Sequence, residues 1–250
     1  MSTVIVDDLL GLSEKRLKKR SVVDLRLGLG YSAVLLDDGS LGLAHSLRNG
    51  AFHCCEISEK AGELGGNAWD LARLAIAPRG TDSTVGVATI NAAINPSAKA
   101  EQGDVLDFLD IHLNEKIGMV GYFRPLVPKL RGRHELLIFE RVPQNDEVYP
   151  DWAAEKMLPT VDVAIITGTA IINKTIDHLL ELTANAREIA VVGPSTTLAA
   201  DVFARRGVTL LSGVVVEDVE KALRIVSQGG GTRKLNKVSR KVTIDLRKLD

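Results

Sequence analysis

Two turns built from small polar residues are the first candidates for chemistry. Each follows a short run of β-branched and aliphatic residues, Val161–Ile166 and Ile189–Val192, which is typical of a strand buried on both faces. Turns at the carboxyl ends of parallel strands lie where open α/β sheets bind ligands, and N–H groups there favour a carboxylate or a phosphate. Ordinary strand-to-helix turns have the same composition, so that alternative stays open. The turn residues are Thr167, Gly168, Thr169, Gly193, Pro194, Ser195 and Thr196.

Glu140 is the second candidate. It follows a strand predicted at Leu136–Phe139, and it lies 19 residues after Gly121, which ends an earlier predicted strand. An acidic residue at this place and spacing accepts the ribose hydroxyls of a bound nucleoside. The alternative is a solvated strand end that is paired with Arg141.

The turn after the earlier strand reads Gly-Tyr-Phe-Arg-Pro and lacks the G-x-G-x-x-G pattern. Without those glycines a pyrophosphate has little room to approach the backbone, which argues against NAD and FAD. Tyr122 and Phe123 instead offer rings that stack on a nucleoside-like or heterocyclic ligand, although aromatic residues after a strand are more often core residues. The cofactor is therefore unknown from the sequence.

Two amides and one cysteine-containing segment complete the candidates. Asn91 and Asn173 both donate and accept hydrogen bonds, which suits them to orient a heterocycle or a carboxylate. As helix caps or buried amides they need no ligand. The segment His53–Glu56 reads His-Cys-Cys-Glu. Adjacent side chains in an extended chain point to opposite faces, whereas zinc sites need spaced ligands, so we predict no metal ligands.

The composition narrows the functional classes. The chain has 250 residues, 45% of them hydrophobic and 25% charged, and a formal net charge of −1, so we expect neither nucleic-acid nor membrane binding. No apolar run approaches the roughly 20 residues of a membrane-spanning helix, and the start MSTVIVDDLL lacks the apolar region of a signal peptide. The two cysteines, Cys54 and Cys55, are adjacent and predict no disulfide, hence a cytoplasmic location.

The elements that position the candidates fall into two regions, which predict an α/β protein. Residues 1–103 predict an α+β domain with an antiparallel hairpin that turns at Asp37–Ser40. Residues 104–250 open with a predicted helix at Asp104–Ile111 and then alternate strands and helices, which predicts a Rossmann-like domain with five short parallel strands. The basic tail from Arg233 contains an alternating segment that we predict as an edge strand. The helices predicted in the first region are Leu9–Val22, Ala68–Ala77 and Ser83–Ile94.

Several segments carry a resemblance to a known family. The five segments read VDVAIITGTAIINKT, VVGPSTTLAADVFARRGVTLLSGVVVED, GYF, LLIFE and DWAAEKMLP. Their most specific parts are TGT-x-x-x-N and VGPST. Taken together they resemble the heavy-metal chelation family over nearly the whole chain. The resemblance implies an enolase N-terminal-like domain followed by a Rossmann-like domain. It also implies condensation or hydrolysis in making pterin-, flavin- or siderophore-like molecules that chelate metals.

The same resemblance implies one ligand-binding cleft between the two domains. Asn91 would reach into it from the first domain. The residues implied to face the cleft are Asn91, Gly121, Tyr122, Glu140, Thr167, Gly168, Thr169, Asn173, Gly193, Pro194, Ser195 and Thr196.

Three functions remain open, each with a small molecule as the partner and none with nucleic acid or a membrane. The first is an enzyme of metal-chelator metabolism, whose general acid or base would be Glu56, Asp151 or Tyr31. The second is a non-catalytic protein that binds a metal or a metal chelate. The third is a methyltransferase that uses S-adenosylmethionine. The turn that begins at Gly121 argues against it, because it lacks the usual glycine-rich loop. A homo-oligomer is compatible with each of them.

Overall fold

The computed structural model describes residues 4–47, 61–143 and 145–249. The first region combines helices with an antiparallel sheet, called the hairpin sheet below, whose strand order is β3-β2-β1-β4. Its elements are α1 (Ile5–Leu17), β1 (Ser21–Leu27), β2 (Tyr31–Leu36), β3 (Leu41–His45), β4 (Gly66–Asn67), α2 (Ala68–Ala72) and α3 (Gly80–Ile94).

The antiparallel hairpin predicted around Asp37–Ser40 is confirmed, since β2 and β3 pair across that turn. The helix predicted at Leu9–Val22 was misplaced and occupies Ile5–Leu17. Its predicted last turn contains β-branched valine and starts the alternating pattern of β1, which favours a strand. The helix predicted at Ala68–Ala77 is shorter, because α2 passes into a 3-10 turn at Arg73–Ile76.

Helix α3 covers one face of the hairpin sheet at very short range. A Cβ atom at Gly42 of β3 would lie 2.0 Å from the carbonyl oxygen of Ala88, so only glycine permits this approach. Most residues of α3 are buried, including the amide Asn91, and so is Asn95, the residue directly after the helix. Buried amides need hydrogen-bond partners, and these two find all but one of theirs in the second region of the chain.

The second region is a mainly parallel sheet with helices between its strands. This main sheet has the order β5-β12-β11-β10-β9-β6-β7-β8. Its strands are β5 (Glu101–Gln102), β6 (Lys116–Val120), β7 (Glu135–Glu140), β8 (Tyr149–Pro150), β9 (Val163–Thr167), β10 (Glu188–Val192), β11 (Leu210–Val216) and β12 (Ser239–Asp245). Its helices are α4 (Val127–Leu130), α5 (Ala154–Met157), α6 (Thr169–Ile172), α7 (Ile176–Leu182), α8 (Ala200–Ala204), α9 (Val219–Ser227) and α10 (Thr232–Leu235).

The strand order of the main sheet contains one reversal. From β6 the chain builds outward through β7 and β8, and then it returns to the other side of β6 with β9, β10 and β11. In the described part of the chain these six strands run parallel, which adds the short edge strand β8 to the five predicted. The reversal creates a switch point between β6 and β9, where open α/β sheets bind ligands.

Two predictions about the flank of the main sheet were wrong. Strand β12 in the basic tail pairs antiparallel with β11 and is followed outward by β5, so it is not the edge. The helix predicted at Asp104–Ile111 is a single 3-10 turn at Val105–Asp107. The carboxylates of Asp104 and Asp107 each accept a hydrogen bond from the other residue's backbone N–H, which closes the chain into one short turn.

The two regions share their core. The largest cluster of buried apolar side chains joins α1, α2 and α3 to α6, α7, α8 and one face of the main sheet. Helix α9 packs on the other face of the hairpin sheet, with Leu223 and Val226 against Tyr31 and Leu43. Strand β5 precedes the boundary predicted at residue 103 but belongs to the main sheet. The division into domains at that point, and the likeness of the first to an enolase N-terminal domain, stay predictions. Of the helices in the described ranges, none combines the length and the apolar character that crossing a membrane requires.

Candidate functional site

A cleft of about 1000 Å³ lies at the carboxyl edge of the main sheet. Its walls are the turns after β6, β7, β9 and β10, and the residues after β3 of the hairpin sheet contribute a further side. The structure brings most of the predicted site residues together here. Those that line the cleft are Gly121, Tyr122, Glu140, Thr167, Gly168, Thr169, Asn173, Gly193, Pro194 and Ser195.

Phe123 forms an apolar floor across the switch point. Gly121 and Gly193 both have positive φ angles, 97° and 116°, which glycine adopts without strain. Cβ atoms built at these two glycines would lie 3.7 and 3.9 Å from the ring of Phe123. The ring therefore lies beside both turns, where a dinucleotide-binding protein would leave room for a pyrophosphate.

The turns after β6, β9 and β10 each begin with a glycine whose backbone N–H already donates a hydrogen bond to a neighbouring strand or its extension. Gly121 N–H donates to Phe139 O, Gly168 N–H donates to Val192 O, and Gly193 N–H donates to Ser212 O, each at 2.9 Å. These bonds extend the strand pairing by one residue. The prediction that the turns after β9 and β10 bind a carboxylate or a phosphate thus loses two donors, the N–H groups of Gly168 and Gly193, although it stays untested as a whole.

Two of the predicted residues do not line the cleft. Asn91 and Thr196 are fully buried. The Asn91 amide nitrogen donates to the carbonyl oxygens of Leu43 and Ser195, at 2.9 and 3.2 Å. Its amide oxygen accepts a hydrogen bond from Thr197 Oγ1 at 2.5 Å. Asn91 therefore does not reach into the cleft as expected, because all of its polar atoms are bonded to the protein behind the cleft wall.

A second amide, Asn95, lies directly after the last residue of α3 and completes this clamp. Asn95 Nδ2 donates to Thr196 O at 3.0 Å, and Asn95 Oδ1 accepts from Leu198 N–H at 2.9 Å. Ser195 Oγ accepts from the backbone N–H of His45 at 2.8 Å, which ties the turn to β3 as well. The two amides thus fix the turn after β10 from behind. Their spacing of four residues, which puts both amides on one side of α3 and its C-cap, was the sequence signal for this role.

Glu140 lies at the end of β7 beside the turn after β6. Its Oε1 atom accepts a hydrogen bond from the backbone N–H of Tyr122 at 2.6 Å. This bond fixes the carboxylate within the cleft and leaves the acceptor capacity of Oε2 for a ligand. Arg141 lies 3.9 Å from Asp151 instead, so the alternative in which Glu140 is paired with Arg141 is not observed.

Tyr31, a catalytic candidate from the sequence, lines the cleft from the hairpin sheet. Its hydroxyl is 2.8 Å from Thr232 Oγ1, and its ring packs edge-on against that of His45 with centroids 5.5 Å apart. Burial raises the pKa of the Tyr31 hydroxyl. The group therefore keeps its proton near neutral pH, which suits a hydrogen-bond donor and does not suit a base.

A histidine–carboxylate pair, which no sequence motif indicates, lies on the side of the cleft formed by α5 and α7. His178 Nε2 is 2.6 Å from Glu155 Oε1, and both residues line the cleft. The hydrogen bond to Glu155, with a smaller contribution from Glu181, raises the pKa of His178. The imidazolium form is therefore populated at higher pH than usual. Glu155 and His178 belong to different helices, and no spacing in the sequence announces their contact.

Asn173 lines the cleft but is also a local turn residue. Its amide oxygen accepts from Thr175 N–H at 3.1 Å and from Thr175 Oγ1 at 2.7 Å, just before α7. Its role towards a ligand stays a prediction. The segment His53–Glu56, with the catalytic candidate Glu56, lies outside the described residues. Within the described residues, no group of three or more His, Cys, Asp and Glu side chains is placed to hold a metal ion.

Proteins of known sequence and structure match this chain over almost its entire length. An uncharacterised protein of Methanocaldococcus jannaschii, MJ0500, is 27% identical over 98% of this chain and 100% of its own length. A crystal structure of a DUF364-family protein of unknown function from Pyrococcus horikoshii has a TM-score of 0.86 and 25% identity, over 96% of this chain and 99% of that one. A second such structure, from Desulfitobacterium hafniense, has a TM-score of 0.79 and 27% identity, over 96% and 98%.

Family profiles match both regions of the chain. Residues 12–94 match DUF4213 and residues 104–245 match DUF364, and both families have the description "Putative heavy-metal chelation". The second match alone covers more than half of the chain, and the solved relatives share the fold described above. The chain thus belongs to the DUF364 family of "Putative heavy-metal chelation" proteins, with a DUF4213 region before it.

Proposed function

We propose that the protein binds a small organic molecule in the cleft and acts on it by condensation or hydrolysis, in the synthesis of a metal-chelating compound. One observation carries the proposal: Gly121, Glu140, Thr169 and Gly193, from the ends of four strands, line a single cleft of about 1000 Å³. This volume suits a ligand of the size of a substituted heterocycle. The family description supports the link to metal chelation.

The cleft walls favour a ring with hydroxyl or amine donors and without a diphosphate. Tyr122 and Phe123 offer aromatic faces, and the Glu140 carboxylate beside them accepts hydrogen bonds from a diol or an amine. The bonded N–H groups of the turns and the apolar floor leave no cradle for a pyrophosphate. A pterin with a hydroxylated side chain, or a nucleoside, has this chemistry.

Acid–base chemistry is available on the opposite wall. With its raised pKa, His178 is positioned as a general acid that protonates a leaving oxygen or nitrogen, and Glu155 holds its ring. Condensation and hydrolysis both need such a proton transfer. A metal ion would then be cargo of the small-molecule product. Stoichiometric metal on the purified chain, found by elemental analysis and lost in Cys54→Ser or His53→Ala, would instead favour direct metal binding by the protein.

The test is ligand binding with a matched pair of variants. The probes are neopterin, adenosine, S-adenosylmethionine and NAD, in thermal-shift and isothermal titration experiments. We expect neopterin or adenosine at about 100 times its dissociation constant to raise Tm by roughly 5–10 °C. Glu140→Gln should abolish the shift. Glu135→Gln, at the other end of the same strand and paired with Lys116, should keep it.

The outcomes separate the alternatives. Tight binding of S-adenosylmethionine with heat release would favour the methyltransferase. No shift with any probe, together with native mass spectra that contain no retained small molecule, would overturn the proposal.

A further inference from the structure

Trp152 is a large aromatic residue that the fold leaves exposed at the cleft. It is 71% exposed and lines the cleft, although Ala153 and Ala154 directly after it are buried. Trp69, the other tryptophan of the chain, packs against the core. Tryptophan is highly buried on average, because it carries more apolar surface than most side chains. An exposed indole on the wall of a cleft is therefore a candidate for contact with a ligand.

The backbone that carries Trp152 is held firmly, even though its ring is exposed. Strand β8 pairs with the end of β7, and the rings of Phe139 and Tyr149 pack together there with centroids 5.9 Å apart. Directly after β8 the chain forms a 3-10 turn at Asp151–Ala153, which runs into α5. The position of the indole is thus determined by the main sheet.

Trp152 lies on the same side of its helical segment as Glu155. The 3-10 turn continues into α5 without a break, and residues three apart on a helix are neighbours on its surface. Glu155 also lines the cleft, where it is bonded to His178. A ligand ring in contact with Trp152 would therefore lie near the histidine–carboxylate pair.

Tyr122 offers a second ring, on the other side of Glu140. The strands β6, β7 and β8 are neighbours in this order. Tyr122 comes two residues after the end of β6, Trp152 comes two residues after the end of β8, and Glu140 ends the strand between them. Tyr122 is 38% exposed and lines the same cleft. The two aromatic residues thus flank the carboxylate at the same level of the sheet.

The spacing of the strands suits a flat ligand between the two rings. Neighbouring strands lie about 4.8 Å apart, so β6 and β8 are separated by roughly 10 Å. A planar ring in van der Waals contact with an aromatic ring on each face needs roughly 7–8 Å between those rings. Side chains that lean slightly towards each other provide this separation.

We propose that Trp152 and Tyr122 hold a planar heterocycle between their rings, with the Glu140 carboxylate at its edge. The inference rests on the proposed function and narrows it. The ligand is an aromatic heterocycle, and a ring N–H or an amino group, instead of a sugar diol, donates to Glu140. A sugar or an open-chain polyol lacks the flat face that these two side chains select.

The test is isothermal titration of the full chain with adenosine and with neopterin, with D-ribose as the non-aromatic probe. Trp152→Ala should raise the dissociation constant of the aromatic probes about tenfold or more, because one stacking face is lost. Trp152→Phe still stacks and should keep most of the affinity, and Trp69→Phe should keep all of it. D-ribose should not bind. The Tm of Trp152→Ala should stay near the wild-type value, since this side chain is exposed.

Tryptophan emission provides a second measurement, because the chain has two tryptophans. In Trp69→Phe the remaining indole is Trp152, and its emission should shift to shorter wavelength when the ligand replaces water around it. In Trp152→Phe the remaining indole is Trp69, and its emission maximum should not move.

The outcomes separate this inference from the proposed function. A probe that binds Trp152→Ala as tightly as the wild type, while Glu140→Gln abolishes its binding, would overturn the inference alone. So would D-ribose that binds as tightly as adenosine, or a Trp152→Phe variant as weak as Trp152→Ala. A parallel fall in Tm would show that the indole stabilises the fold instead. If none of the aromatic probes binds, the proposed function fails and this inference fails with it.

Discussion

The cleft has two walls of opposite character. The inner wall is the turn Gly193–Thr197, fixed from behind by Asn91 of α3 and by Asn95 just after that helix. The outer wall consists of exposed residues after β7 and β8 and on α5 and α7, where ion pairs replace buried hydrogen bonds. The residues of the outer wall are Arg141, Asp151, Trp152, Glu155 and His178.

The inner wall determines the shape of the cleft, whereas the outer wall supplies its ionisable groups. The inner wall contributes little that can titrate, but its buried amides determine where the turn lies. The outer wall contributes ionisable side chains and an exposed indole. Water surrounds the ion pairs of this wall, so each ion pair contributes little to the free energy of unfolding. Substitutions in the inner wall should therefore affect folding, and substitutions in the outer wall should affect ionisation and the acid–base chemistry that we propose.

The largest effect is expected from Asn91→Ala. The change leaves two buried carbonyl oxygens without their donor and one buried hydroxyl without its acceptor. Each lost partner costs on the order of 1–3 kcal/mol, so we expect the free energy of unfolding to fall by about 3 kcal/mol and Tm to fall by roughly 10 °C. Thermal and urea unfolding measure both.

The matched control is Asn173→Ala, because that amide lines the cleft instead of lying behind its wall. Within the part of the chain that the structure describes, the Asn173 amide oxygen accepts hydrogen bonds from Thr175 alone, in an exposed turn. Its removal should cost less than about 1 kcal/mol. Equal losses in the two variants would show that the inner wall is not specially fixed, and the comparison between the walls would fail.

A smaller effect is expected from Gly168→Ala, which probes how tightly the inner wall packs against the turn after β9. A Cβ atom at Gly168 would lie 2.6 Å from the backbone nitrogen of Thr196, and backbone cannot move aside as a flexible side chain can. We expect a loss of roughly 2 kcal/mol in unfolding free energy.

Gly11→Ala is the control for this glycine. It is an exposed helix position where an added Cβ meets nothing within 4 Å, so alanine should stabilise α1 by about 1 kcal/mol. If the Gly168→Ala variant were as stable as the wild type, the turn after β9 could move without disturbing the turn after β10.

The same division explains what the sequence could predict. The buried strands and the hairpin were predictable, because β-branched runs and the Asp-Asp-Gly-Ser turn carry local signals. The position of the tail strand β12 inside the sheet was not predictable, because its pairing with β5 is a contact between distant segments. The gathering of Gly121, Glu140 and Thr169 followed from strand topology. The role of Asn91 in fixing the turn could not be predicted in this way. The sequence alone does not show whether an asparagine amide binds a ligand or a backbone carbonyl group.

The smallest effect concerns the outer wall and its pH dependence. The hydrogen bond to Glu155 is the main cause of the raised pKa of His178, with Glu181 contributing less. The stabilisation from this pair is fully present below the pKa of unfolded histidine, and it is lost as pH rises through the higher pKa of the folded state. Since both side chains are exposed, it amounts to about 0.5 kcal/mol at most. Glu155→Gln should therefore lower the pKa of His178 in an NMR titration while Tm stays nearly constant, and Glu181→Gln should lower it less. A large loss of Tm in Glu155→Gln would show that this pair stabilises the fold, as the inner wall does. It would then contradict the role in acid–base chemistry that we propose for the pair.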